Sequence, residues 1–116
     1  MDIHAVRGAT TVPANDAEAI ILRTAELLQE MAARNRFTPE QIVFLLFTAT
    51  PDLNAAFPAR AAARLGWAAV PRLDAQEMDV PDALPRCVRV LAVVRGIERA
   101  EHVYLHEARR LGEGPS

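Results

Sequence analysis

Four residues of this chain are best equipped for chemistry: Arg7, Glu77, Arg89 and Tyr104. Arg89 interrupts the apolar run Cys87-Val88-Arg89-Val90-Leu91-Ala92-Val93-Val94. Side chains alternate faces along a strand, so Arg89 shares its face with Cys87, Leu91 and Val93. Arg7 lies in the β-forming stretch Ile3 to Val12, in register with Ile3 and Ala5. A guanidinium keeps its charge at any accessible pH, and burying a charge without a partner is costly. Each arginine must therefore meet a carboxylate of the chain or face a pocket where an anion sits. Asp74, Glu77 and Asp79 supply carboxylates within six residues. Two cations, a carboxylate and a phenol could equally form structural ion pairs or bind an anion and stabilise negative charge developing on it. The pattern leaves both open.

Other chemistries find little support. His102 and His106 are four apart but in strand-like surroundings, and His4 is far away in sequence, so no metal site is expected. No G-x-S-x-G elbow, P-loop or dinucleotide fingerprint occurs. Cys87 is the only cysteine; it sits in an apolar strand, where a reduced core thiol is expected. The net charge of −2 gives no reason to expect nucleic acid or an acidic membrane surface. No signal-like or membrane-spanning run is found, which points to a cytoplasmic protein. The chain of 116 residues suits a single domain, 1–116, with about 109–116 a flexible tail.

The elements that must position these residues follow from periodicity. Ile3 to Val12 predicts a first strand, with Gly8 allowing backbone or ligand to come close. Asn15 is expected to cap a long helix, with Glu18 completing a capping box. Ile21, Ala25, Leu28 and Ala32 give that helix its apolar stripe, and Asn35 is expected to end it. Its charges, Arg23, Glu26, Glu30 and Arg34, are expected on a solvated face. Thr38-Pro39-Glu40 predicts one turn, and Ile42 to Phe47 a buried strand. Phe57-Pro58 opens a short helix that Gly66 stops, with Arg60 and Arg64 solvated on one face. Trp67 to Leu73 predicts another strand, and 80–85 a turn-rich link with at most one helical turn. The strand around Arg89 is expected mid-sheet, covered on both faces, and His102 to Leu105 predicts the last strand.

Taken in order, Arg7-Gly8-Ala9-Thr10-Thr11-Val12, Thr48-Ala49-Thr50-Pro51-Asp52-Leu53, Ala56-Phe57-Pro58-Ala59, Gln76-Glu77-Met78-Asp79-Val80, Cys87-Val88-Arg89-Val90 and His102-Val103-Tyr104-Leu105 resemble the trimeric, non-helical α/β-barrel class of chorismate mutases. The resemblance covers nearly the whole chain. It implies an α+β fold, with a mixed sheet packed on one long helix and three copies forming a pseudo-barrel. It implies the Claisen rearrangement of chorismate to prephenate in aromatic amino acid biosynthesis, without cofactor or metal, at sites between subunits of a homotrimer. Carried over, Arg89 donates to the breaking ether oxygen, Arg7 and Tyr104 hold a carboxylate, and Glu77 accepts from the ring hydroxyl. Phe57, Ala59 and Arg60 line the pocket, and Leu73, Asp74, Ala75 and Gln76 form its wall.

The chain departs from the family pattern at several places. Arg60 stands where lysine is usual, and Asp74 where a small polar residue is common. An expected arginine falls on Ala63, with Arg64 one place later, and Gly112 follows Leu111 where the tail usually supplies an arginine. The loop between Val94 and His102 is short. Asp74 is expected near Glu77, where like charges would raise one pKa, or paired with an arginine. Two rival readings are a trimeric imine or enamine hydrolase of similar fold and a non-catalytic chorismate- or prephenate-binding relative.

Overall fold

The computed structural model describes residues 2–112. Strand β1 (Ile3–Thr11) leads to helix α1 (Ala17–Asn35), and a single 3-10 turn at Pro39–Gln41 starts strand β2 (Ile42–Ala49). A short helix α2 (Arg60–Arg64) precedes β3 (Arg72–Gln76). The long β4 (Cys87–Arg95), the two-residue β5 (Val103–Tyr104) and a 3-10 helix over His106–Gly112 complete the chain. The sheet runs β3-β2-β4-β1-β5. β4 pairs antiparallel with β1 and β2, while β3 and β5 lie parallel to β2 and β1 at the edges. The fold is thus α+β, a mixed sheet against one long helix.

Burial alternates along β4. Val88, Val90, Ala92 and Val94 are buried, whereas Arg89, Leu91 and Val93 are only half-buried. The buried set joins Val6, Leu45 and Phe47 from neighbouring strands under Ile20, Ile21, Leu27, Leu28 and Met31 of α1. Gly8 lets the helix lie this close: a Cβ there would come within 2.5 Å of Met31 Sδ. What approaches Gly8 is therefore the helix. The expectation that β4 is covered on both faces is corrected, because the chain supplies only two layers. On the uncovered side the 3-10 helix shields one end, where Ala108 packs on Ala9 and Cys87. Ile3 and Phe44 remain 50% and 40% exposed towards the other end.

Several local expectations change. Asp16, rather than Asn15, caps α1: its carboxylate accepts from Ala19 N at 2.9 Å. Asn15 instead accepts from the backbone N–H of Asn54 and Ala55 (3.0 Å each), tying the start of α1 to the loop after β2. The left-handed cap falls on Arg36 (φ 54°), not Asn35. Asn35 is buried and brackets Glu101, donating to its carbonyl and accepting from its N–H, a polar link that a helix-ending reading overlooks. Arg23 is not simply solvated, since its guanidinium donates to Thr11 O at 2.7 Å. Nor is Arg64, which pairs with Glu18 at 2.6 Å, nor Glu26, which meets His106 at 2.8 Å. The strand expected over Trp67 to Leu73 begins at Arg72 instead, after turns through Ala68–Val70, and 80–85 forms turns without a helix. Residues 109–112 of the expected tail belong to the 3-10 helix, and 113–116 lie outside the described residues.

Candidate active site

Strand register brings the chemistry together. Thr48 is opposite Arg89, Arg89 opposite Ala9, and Ala9 opposite Tyr104, while Ala75 lies opposite Thr48. One row on the uncovered face therefore crosses all five strands as Ala75, Thr48, Arg89, Ala9 and Tyr104. The next row holds Leu73, Leu46, Leu91 and Arg7. Arg7, Thr48, Arg89, Tyr104 and Leu111 line a concavity of about 260 Å³ there.

Within it the polar groups are already oriented. Arg7 Nη2 donates to Tyr104 Oη at 3.0 Å. The phenol oxygen is thereby used as an acceptor, and its own hydrogen points elsewhere. The backbone N–H of Arg7 donates to His102 Nδ1 at 3.0 Å, which puts the proton of a neutral His102 on Nε2. Gly112 packs flat on the Tyr104 ring, where a Cβ would come within 2.7 Å of Cδ2. Glu77 follows β3 directly and continues its pairing: its N–H donates to Ala49 O at 2.8 Å. Its Oε1 accepts from Thr48 Oγ1 at 2.5 Å and lies 3.8 Å from Arg89 Nε. Arg89 is thus an accessible cation, its side chain 43% exposed, with a carboxylate beside it.

Of the remaining expected residues, Ala75 and Leu73 share the two rows just described, and the others lie towards and beyond the β3 edge. Phe57, Arg60, Asp74, Ala75 and Gln76 line a second concavity of about 430 Å³, and Ala59 and Leu73 join an adjoining groove. Phe57 and Leu73 are about two-thirds exposed, at 65% and 66%. Asp74 points to the α1 side of β3, beside Phe47 in register, away from the Thr48–Ala75 row that Glu77 continues. The expected crowding of Asp74 against Glu77 is corrected accordingly. Asp74 accepts from Ala59 N at 3.0 Å. Its carboxyl is held above the usual range by burial, which that hydrogen bond and the nearby Arg72 charge only partly offset. Thr48 lines the same concavity, and His102 braces the Arg7 backbone beside it; neither stands out as a site residue in the sequence. Thr48 meets Glu77 only through the pairing of β2 with β3, and His102 meets Arg7 only through the pairing of β1 with β5. A single sequence leaves both registers open.

Among the described residues no group of three or more His, Cys, Asp or Glu side chains is placed to hold a metal ion.

A family model described as chorismate mutase type I matches residues 3–113. The chain is 42% identical over 111 residues to the chorismate mutase AroH of Bacillus subtilis, covering 92% of this chain and 87% of that protein. It is 44% identical over 113 residues to the chorismate mutase AroH of Thermus thermophilus, covering 94% and 93%. A solved chorismate mutase from Clostridium thermocellum superposes with a TM-score of 0.90 at 42% identity, over 92% of this chain and 98% of that one.

Proposed function

The chain belongs to the chorismate mutase type I family, and on that premise we propose how its own residues convert chorismate to prephenate. The enzyme is an isomerase of aromatic amino acid biosynthesis. One C–O ether bond breaks and one C–C bond forms within a single molecule, so the protein's task is to hold the reactive conformer and stabilise charge.

Arg89 donates to the ether oxygen as negative charge gathers there. Arg7 binds a substrate carboxylate, and the Tyr104 hydroxyl, already accepting from Arg7, directs its hydrogen to the same group. Glu77 accepts from the ring hydroxyl and faces the carbon framework as it becomes electron-poor. The observation that carries this reading is the cross-strand row that sets Arg89 between Thr48 and Ala9, open to the concavity, with Glu77 at 3.8 Å.

Arg7, Glu77, Arg89 and Tyr104 form one half of the site. Leu73, Asp74, Ala75 and Gln76, which lead along β3 into Glu77, form the wall of that site, while Phe57, Ala59 and Arg60 serve a neighbouring copy, in a homotrimer with sites at the subunit boundaries. The exposure of Phe57 and Leu73 and the uncovered apolar face support that assembly. A cytoplasmic location belongs to the same reading; among the described residues no helix is long and apolar enough to cross a membrane.

Purified protein mixed with chorismate should deplete its ultraviolet absorbance, and Arg89→Ala should lower kcat by at least about a hundredfold, the usual loss for a donor to developing negative charge. A folded Arg89→Ala variant with near-normal kcat would rule out the electrostatic role.

A further inference from the structure

We propose that Thr48 is a positioning residue for Glu77, holding its carboxylate off Arg89 so that both remain directed at the substrate. The proposal rests on the reading of Glu77 as a substrate-contacting group. Arg89 Nε and Glu77 Oε1 are 3.8 Å apart, beyond hydrogen-bond range. The hydroxyl of Thr48 reaches the same oxygen at 2.5 Å. The tighter hold on Glu77 therefore comes from a neutral side chain, although a cation stands beside it.

The arrangement matters because a carboxylate and a guanidinium so close would otherwise form a direct, charge-assisted pair. Such a pair would take up part of the N–H fork that Arg89 turns to the ether oxygen and an oxygen that Glu77 offers the ring hydroxyl, and would draw both side chains towards each other and away from the substrate. Thr48 is well placed to prevent this. It is the cross-strand partner of Arg89 on β4 and of Ala75 on β3, two residues before Glu77. Its Cβ branch restricts χ1, so the hydroxyl direction is held by the strand itself. The Glu77 N–H bonded to Ala49 O at 2.8 Å fixes the other end of the arrangement. Thr48 thus acts through Glu77, and no contact of its own with the substrate is required.

Thr48→Val preserves shape and strand preference and removes only the hydroxyl. At saturating chorismate its kcat should fall about tenfold, the usual scale for losing a hydrogen bond to a charged group, while KM and the unfolding midpoint change little. Thr48→Ser should recover kcat to within about twofold, since it restores the donor. In a Glu77→Ala background, Thr48→Val should lower kcat no further, because residues acting through one another are not additive. A wild-type kcat for Thr48→Val, or an equal loss with and without Glu77, would overturn the proposal while leaving the assignment of Glu77 intact. A Glu77→Ala enzyme with undiminished kcat would overturn the assignment itself.

Discussion

Cys87 and Arg89 share a face of one strand, two residues apart, and meet opposite surroundings. Arg89 opens onto the concavity. Cys87 is 3% exposed beneath Ala9 and Ala108. Burial pushes its thiol up to about 11; the nearby Arg89 charge opposes that rise and the Glu77 charge adds to it. At pH 8 the folded protein should therefore react slowly with a thiol-modifying dye and the unfolded chain rapidly, which absorbance at the dye's wavelength would read; fast stoichiometric labelling of the native enzyme would contradict it. Because the folded thiol stays protonated where the unfolded one ionises, its contribution to stability is lost as pH rises from the ordinary thiol range towards 11. The period of two was enough to place Cys87 and Arg89 on one face. It could not tell that only one of them would be roofed, since the roof is a 3-10 helix about twenty residues further on. Neighbouring Asn15 and Asp16 pose a similar problem. Both are good caps, and the choice is settled by a distant loop that Asn15 must hold.

At the scale of elements, α2 is the piece least able to support itself. Five residues cannot sustain a helix alone, so its placement depends on outside anchors. Those anchors are the buried Ala61 and Ala62, the Arg64–Glu18 pair and the Asp74 carboxylate on Ala59 N. The two carboxylates respond to acid in opposite senses. Glu18, hydrogen-bonded to Arg64, is held below its ordinary range, so its contribution is present above that range and fades as pH falls. Asp74, desolvated, is held above its ordinary range, so its contribution is full at low pH and fades as pH rises through the raised value. Asp74→Asn retains an acceptor for Ala59 and removes the buried charge. Urea melts at a series of pH values rising from the ordinary carboxylate range should show that this variant lacks the loss of stability that the parent undergoes as its Asp74 ionises; identical profiles would contradict the assignment. Helix α1, β1, β2 and β4 were legible because their apolar patterns are long. β3 was misplaced because Trp67 to Val70 is apolar too, and only pairing with β2 shows that Arg72–Gln76 makes the strand.

The whole molecule measures 39 × 31 × 20 Å, and the shortest dimension accommodates one sheet and one helix layer. Its second sheet face carries Ile3, Phe44, Leu46, Leu91 and Val93 without a covering layer. An apolar face of this kind is the usual mark of an assembly surface. Phe44 lies two rows from Arg89 and outside the helix-covered core, so Phe44→Glu should leave the chain folded by circular dichroism while lowering the assembled mass seen by light scattering. On the proposed assembly, in which each site is completed by a second copy, turnover should fall with it. A Phe44→Glu protein of unchanged mass would place the boundary elsewhere. This scale was the hardest to read in the sequence: an apolar strand face looks the same whether its own helix covers it or another copy does.

The cross-strand row also bears on how such an enzyme tolerates sequence drift. Ala75, Thr48, Arg89, Ala9 and Tyr104 come from five separate segments, and backbone pairing alone lines them up. Loops can lengthen or shorten between homologues without disturbing that alignment, as long as each strand keeps its pairing. The short link from Arg95 to Val103 still delivers Tyr104 opposite Ala9. Insertions are therefore best tolerated in connections away from Glu77 and from Phe57 to Arg60, and ruinous within a strand, where a slip of one residue would turn Arg89 into the core. What aligns this row is a set of pairings, to which the distance along the chain between its members is indifferent.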